Sequence, residues 1–114
     1  MSEAKALYLS TEMDSEVRTF TVGDSYDLIR DAVEGWIECY YLSSLGVDLW
    51  CNEESKLAGL ARNDIATYLF QKEFGPHDYI GGNVIFTGGT DDEGETLGLS
   101  EDQIKTLTEL FGEV

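Results

Sequence analysis

The chain has 114 residues, with 7 Lys plus Arg against 23 Asp plus Glu, one His and a formal net charge of −16. A hydrophobic content of 42 % fits one globular domain over residues 1–114 and argues against wholesale disorder, which couples low hydrophobicity to high net charge. The shortage of Lys and Arg excludes direct binding to bare nucleic acid, and no polybasic run points to an anionic membrane surface.

No apolar run long enough for a signal-peptide core or a membrane span follows Met1. Two cysteines, Cys39 and Cys51, are too few for a secreted disulfide scaffold, so the expected setting is a soluble cytoplasmic protein. Ala4 to Leu9 alternates around Leu7 and Leu9 and predicts a first strand. After a polar connection, Val17 to Val22 is β-branched and aromatic, which suits a second. Asp24 or Ser25 supplies a cap for a helix whose apolar face is Tyr26, Ile29, Ala32 and Val33, with Gly35 as its stop.

Trp36 to Leu42 and Val47 to Cys51 flank the turn Ser43-Ser44-Leu45-Gly46 and read as a β-hairpin. Asn52 to Ser55 is a second turn, and Lys56 to Leu60 continues the meander as a short strand. Asn63 caps a helix over Asp64 to Lys72, which Gly75-Pro76 ends. Tyr79 to Thr87 alternates Ile80, Gly82, Val84 and Phe86 and predicts a strand inside the sheet. There Gly81-Gly82 marks a bulge or a close backbone approach. Residues 89–99 form a flexible acidic loop. Ser100 and Gln103 have capping-box spacing ahead of a helix buried through Ile104, Leu107 and Phe111. The fold class is α+β: one mostly antiparallel twisted sheet of about five strands, with about three helices packed mainly on one face.

If the hairpin is centred near Leu45, Cys39 faces Cys51, which allows a disulfide or a shared metal ion. A metal needs more ligands than these two, and His77 is far along the chain. Two reduced thiols packed as small hydrophobes are therefore the favoured reading. The same register groups Trp36, Glu38, Tyr40, Asp48 and Trp50 on one face. An aromatic face rimmed by acids is either an interaction surface or a second small core beneath a helix. The acidic runs at Glu53-Glu54 and Asp91 to Glu95 lack the spacing of a calcium loop and read as solvated turns. No constellation of titratable groups reads as catalytic, and no metal or cofactor is expected.

The order of segments resembles one known family. Tyr26 to Glu38, ending Gly35-Trp36-Ile37-Glu38, is similar to the helix-to-strand signature of the domain of unknown function 3846 family. So are Asn52 to Leu60 (an acidic turn, then Lys-Leu-Ala-Gly-Leu), Asn63 with Ala66-Thr67, and the strand Ile80 to Ile85. Glu34, Ser55 and Asp64 stand where that family has Gly, Gly and Pro. The resemblance implies a small domain often encoded by phages, plasmids and other mobile elements of bacteria and archaea. It implies no activity; the shared positions read physically as structural: a helix stop at Gly35, a turn at Asn52 to Ser55 and a helix cap at Asn63.

The acids are spread from Glu3 to Glu113 rather than bunched, and only four residues are Lys. That dispersal is expected of a protein adapted to concentrated salt, as in a halophilic archaeon or its virus. The expectation is a salt-adapted, non-enzymatic accessory or interaction protein with a protein partner. The alternative is an acidic mimic of nucleic acid that occupies a host DNA-binding or defence protein, which requires carboxylates arrayed regularly on one face.

Overall fold

A computed structural model describes residues 3–114. The elements run β1 (Glu3–Leu9), β2 (Ser15–Thr21), α1 (Tyr26–Val33), β3 (Ile37–Leu42), β4 (Val47–Asn52), α2 (Asp64–Phe74), β5 (Val84–Thr87) and α3 (Glu101–Glu113). The strands form one sheet in the order β2-β1-β5-β4-β3, and every neighbouring pair is antiparallel. This is the α+β domain expected from the sequence.

Side chains of successive strand residues point to opposite faces, and here both faces are apolar where they are covered. On one face Leu7, Leu9, Val47, Leu49, Cys51, Val84 and Phe86 pack under α2 and α3, which contribute Ile65, Ala66, Leu69, Phe70 and Leu107. On the other, Ala4, Ala6, Phe20 and Ile85 pack against Ile29 and Ala32 of α1, with Trp50, Ile37 and Tyr8 at the margin. Two helices thus lie on one face and one on the other. α1 is only eight residues long and packs against β3, β4 and β5, while Tyr41, toward the hairpin end of β3, stays exposed.

Several local expectations are corrected. Glu34, not Gly35, takes the left-handed conformation that ends α1, at φ 62°. Gly35 is needed for a different reason: a Cβ there would lie 2.7 Å from Asn52 Nδ2. Ser25 is the N-cap of α1, and its side chain makes no capping hydrogen bond. Lys56 to Gly59 is a run of turns, not a strand. Residues 79–83 stay outside the regular sheet because Gly82, at φ 83°, folds against Leu60 and donates its N–H to Ala61 O at 2.7 Å. That is the close backbone approach its glycines suggested.

The caps at Asn63 and Ser100 form as read. Asn63 Oδ1 accepts from Ala66 N at 3.1 Å, and Ser100 and Gln103 make a reciprocal capping box. The acidic segment 89–99 is drawn together by backbone bonds between Gly89 and Leu97 and between Asp91 and Glu95. Asp91 Oδ1 also accepts from the N–H groups of Glu93 and Glu95.

Candidate functional site

The hairpin register decides which side chains meet. The β3–β4 loop has four residues, closed by Leu45 N and Gly46 N on Leu42 O, with Gly46 at φ 68°. Leu42 therefore pairs with Val47, Cys39 with Trp50, and Cys51 with Glu38. This is one residue off a turn centred on Leu45, and a one-residue slip exchanges the faces of one strand relative to its partner. Cys39 and Cys51 consequently point to opposite faces, so they neither bridge nor share an ion, and both are free thiols. The five residues expected on one surface are divided. Asp48 and Trp50 lie on the α1 face, with Trp36 at the α1–β3 junction. Glu38 and Tyr40 lie on the α2 face.

On the α1 face, beyond the end of the helix, Tyr41, Asp48 and Thr87 form a row across β3, β4 and β5. The next row is Cys39, Trp50 and Ile85. Trp50 Nε1 donates to Thr87 Oγ1 at 2.8 Å, which locks the two rows together. Asp48 is only 3 % exposed. Thr90 Oγ1 donates to its Oδ2 at 3.3 Å, and the Cys39 thiol is the other group set against it. Burial raises the Asp48 carboxyl above the usual carboxylate range, and the two hydrogen bonds only partly offset this. Cys39 as a residue is exposed, but loss of water around its sulfur, reinforced by the Asp48 charge, pushes the thiol up to about 12. The pair is thus a carboxylate with a neutral thiol donor, not a thiolate nucleophile. Tyr41, Gly88, Gly89 and Thr90 complete a cavity of about 310 Å³ with Asp48 in its wall.

A second, smaller niche lies on the opposite face. Tyr40 Oη donates to Glu38 Oε1 at 2.8 Å, and Cys51 Sγ lies 4.0 Å from the same oxygen. Lys56 pairs with Asp78 at the rim, and Asn52, Ser55 and Gly81 close the back. Burial, then the Glu38 carboxylate, pushes the Cys51 thiol up to about 12. Burial, then the hydrogen bond to Glu38, raises the Tyr40 hydroxyl. The space is about 60 Å³, enough for a water or two at about 30 Å³ each. Tyr40 also packs edge-on against Phe70, with ring centroids 4.9 Å apart, so on this side the aromatic group is core.

Trp36, 57 % exposed, stands alone with the Arg30 guanidinium 4.9 Å from its ring. His77 is exposed. Residue types gave no signal for the Gly88-Gly89-Thr90 wall or for the burial of Asp48, because both depend on the hairpin register and on where α1 stops.

The segments that carry the family resemblance act as pins around the small niche. Asn52 Nδ2 donates to Val33 O at 3.1 Å, and its Oδ1 accepts from Glu54 N at 2.8 Å. A Cβ at Gly81 would lie 3.1 Å from Ser55. Asn63 Nδ2 donates to Leu9 O and Gly82 O at 3.3 and 3.1 Å. Comparison with known proteins agrees: the family described as domain of unknown function (DUF3846) matches residues 4–112. No curated protein and no solved structure matches the chain at a significant level.

Proposed function

The chain belongs to the domain of unknown function 3846 family, and on that premise we propose that it is a non-catalytic accessory protein of a mobile genetic element, adapted to concentrated salt and acting by binding another protein. The observation that carries this reading is where the charge sits. Of 23 acids, 20 are exposed, Glu38 and Glu73 are half-buried, and only Asp48 is buried. Four acids have a basic partner within ion-pair distance: Glu101 with Lys5, Glu16 with Arg18, Asp78 with Lys56, and Asp64 with Arg62. The other 16 exposed acids face water without one among the described residues.

A surface of 6371 Å² divided among 16 net charges leaves about 400 Å² for each, a mean spacing of about 20 Å. The Debye length falls from about 30 Å at 0.01 M salt to about 3 Å at 1 M, so mutual repulsion is felt in dilute buffer and screened in concentrated salt. Thermal unfolding followed by circular dichroism across a KCl series tests the proposal. The melting temperature rises to 1 M through screening and continues to rise beyond it. A fold equally stable in dilute buffer, or a plateau at about 1 M where screening is exhausted, overturns the salt-adapted reading.

One observation favours a second reading, a mimic of nucleic acid. Asp24, Asp27, Asp31 and Glu34 recur every three or four residues over α1 and its flanks and all four are exposed, with Asp27 and Asp31 one turn apart on the helix itself. Asp27 and Asp31 are about 6 Å apart along the helix axis, against one phosphate per about 3.4 Å of a nucleic-acid strand. A duplex as long as the 38 Å major axis carries about 22 phosphates, comparable with the net charge of −16. This reading predicts a salt-sensitive complex with a DNA-binding protein that duplex DNA displaces, and that Asp27→Asn with Asp31→Asn weakens. A complex indifferent to duplex DNA refutes it.

A further inference from the structure

We propose that the cavity beside Asp48 binds the guanidinium of an arginine side chain presented by a basic protein partner. This deepens the proposal that the domain works by binding a protein, and it rests on that reading for the source of the arginine.

The carboxylate is short of partners. An ionised Asp offers about four acceptor positions. Asp48 has one long hydroxyl donation, at 3.3 Å from Thr90, and a weak thiol donor in Cys39. Among the described residues no Lys, Arg or His comes within ion-pair distance of it. Lys5, Arg18, Lys56 and Arg62 pair with other acids, while Arg30 and Lys72 lie over the rings of Trp36 and Tyr68. A charge buried this deeply without a cation is costly, and an incoming cation that reaches it is bound in a low-dielectric setting.

The cavity selects the cation. Its volume of about 310 Å³ lies at the lower end of small-ligand sites, about 300–1,000 Å³, and suits one long side chain. Tyr41, 53 % exposed, offers a ring face on its wall. Gly89 beside that ring is fixed as glycine by its φ of 92°, and a Cβ there would make only ordinary contact with Tyr41 Cε1, at 3.7 Å. A planar guanidinium can stack on the ring and donate two parallel hydrogen bonds to the carboxylate. An ammonium is a compact, strongly hydrated point charge and does neither as well. The exposed acids Asp91, Asp92, Glu93 and Glu95 follow Thr90 directly and draw a basic chain toward the opening.

The test is a titration of the full chain, followed by amide chemical shifts, with capped arginine (N-acetyl-arginine methylamide), its lysine and citrulline counterparts, an arginine-containing peptide, and spermidine. The expected result is saturable shifts at Tyr41, Asp48 and Gly88 to Thr90 with the arginine probe, and none with uncharged citrulline. Asp48→Asn weakens binding about tenfold or more, and Tyr41→Ala weakens it less. Tyr41→Ala removes a half-exposed ring and so keeps the test valid if Asp48→Asn unfolds. The peptide binds more tightly than the capped residue.

No saturable shift, an unchanged affinity in both variants, or shifts confined to residues 91–95 overturn the site. Equal binding of the lysine probe overturns the guanidinium assignment, and spermidine binding as tightly as the peptide overturns the protein source. These outcomes are independent of the KCl series, so a failure here is distinguishable from a failure of the salt-adapted reading.

Discussion

Replacing Asn63 by alanine removes three hydrogen bonds from one fully buried side chain. Oδ1 caps α2 through Ala66 N, and loss of such a cap costs about 1 kcal/mol. Nδ2 donates to Leu9 O, which also faces a neighbouring strand, and to Gly82 O just before β5; losing the first bond costs about 1 kcal/mol and orphaning Gly82 O about 1–3 kcal/mol. The expected loss is about 4 kcal/mol, a large share of the roughly 5–15 kcal/mol that holds a domain of this size. Urea unfolding in about 1 M KCl, where surface repulsion is screened, reads this as a midpoint lower by about 2 M, at an m-value of about 2 kcal/mol/M.

Two companions separate the contributions. Asn63→Ser keeps a cap oxygen and loses the carbonyl donors, so it falls between alanine and the parent. Asn63→Asp keeps the cap but aims a carboxylate oxygen at two carbonyl oxygens. It is at least as unstable as alanine at neutral pH and recovers as pH falls, when the protonated acid can donate to one of them. A loss under about 1 kcal/mol for alanine, or an Asn63→Asp variant as stable as the parent at neutral pH, refutes the claim that this residue joins three segments.

Three further outcomes follow from the geometry. Glu34→Gly relieves a non-glycine left-handed residue at φ 62° and stabilises by about 1 kcal/mol, whereas Gly35→Ala drives a Cβ against Asn52 and costs about 1–3 kcal/mol; urea midpoints moving in the same direction contradict the assignment of the helix end. Ser100→Ala dissolves the capping box of α3, costing about 1 kcal/mol and speeding amide exchange over residues 101–104; unchanged exchange there contradicts it. Because burial raises the Asp48 carboxyl, the folded chain holds its proton to higher pH than the unfolded chain, so its contribution to stability falls as pH rises from the unfolded value near 3.9 through the raised folded value. The parent should therefore gain stability relative to Asp48→Asn as pH is lowered through that window, and a difference flat with pH refutes the burial argument.

The parts of the fold visible in the sequence are those set by local chemistry. The Asn63 and Ser100 caps, the strands β1, β3 and β4, and the helical stripes each need only a few neighbouring residues. The site needed more. Whether Asp48 faces Tyr41 or a different neighbour turns on whether the Ser43–Gly46 loop counts as an odd or an even number of residues, and side-chain pattern alone left that open. Both faces of the hairpin carry aromatics and acids, so neither register violated an amphipathic pattern. Asn63 was legible as a cap because a cap is a sequence-local role. Its two carbonyl acceptors, from residues 9 and 82, are brought to it only by the sheet.

The proposals about charge make opposite demands on solvent, and this makes them separable. A group of exposed carboxylates such as Asp24, Asp27, Asp31 and Glu34 attracts a basic protein only while the Debye length exceeds the gap across the interface, so the mimic must work in dilute or moderate salt. Asp48 is different in kind. At 3 % exposure it is largely withdrawn from water, so salt weakens its attraction for a guanidinium inside the cavity less than it weakens surface attraction. If stability keeps rising above 1 M KCl, the working surroundings are ones in which 20 exposed acids cannot select a partner, and recognition must pass through a buried contact of this kind. Arginine binding that persists in concentrated salt, in a chain that is also most stable there, would join the two observations. Arginine binding lost by about 1 M would return the weight to the α1 carboxylates.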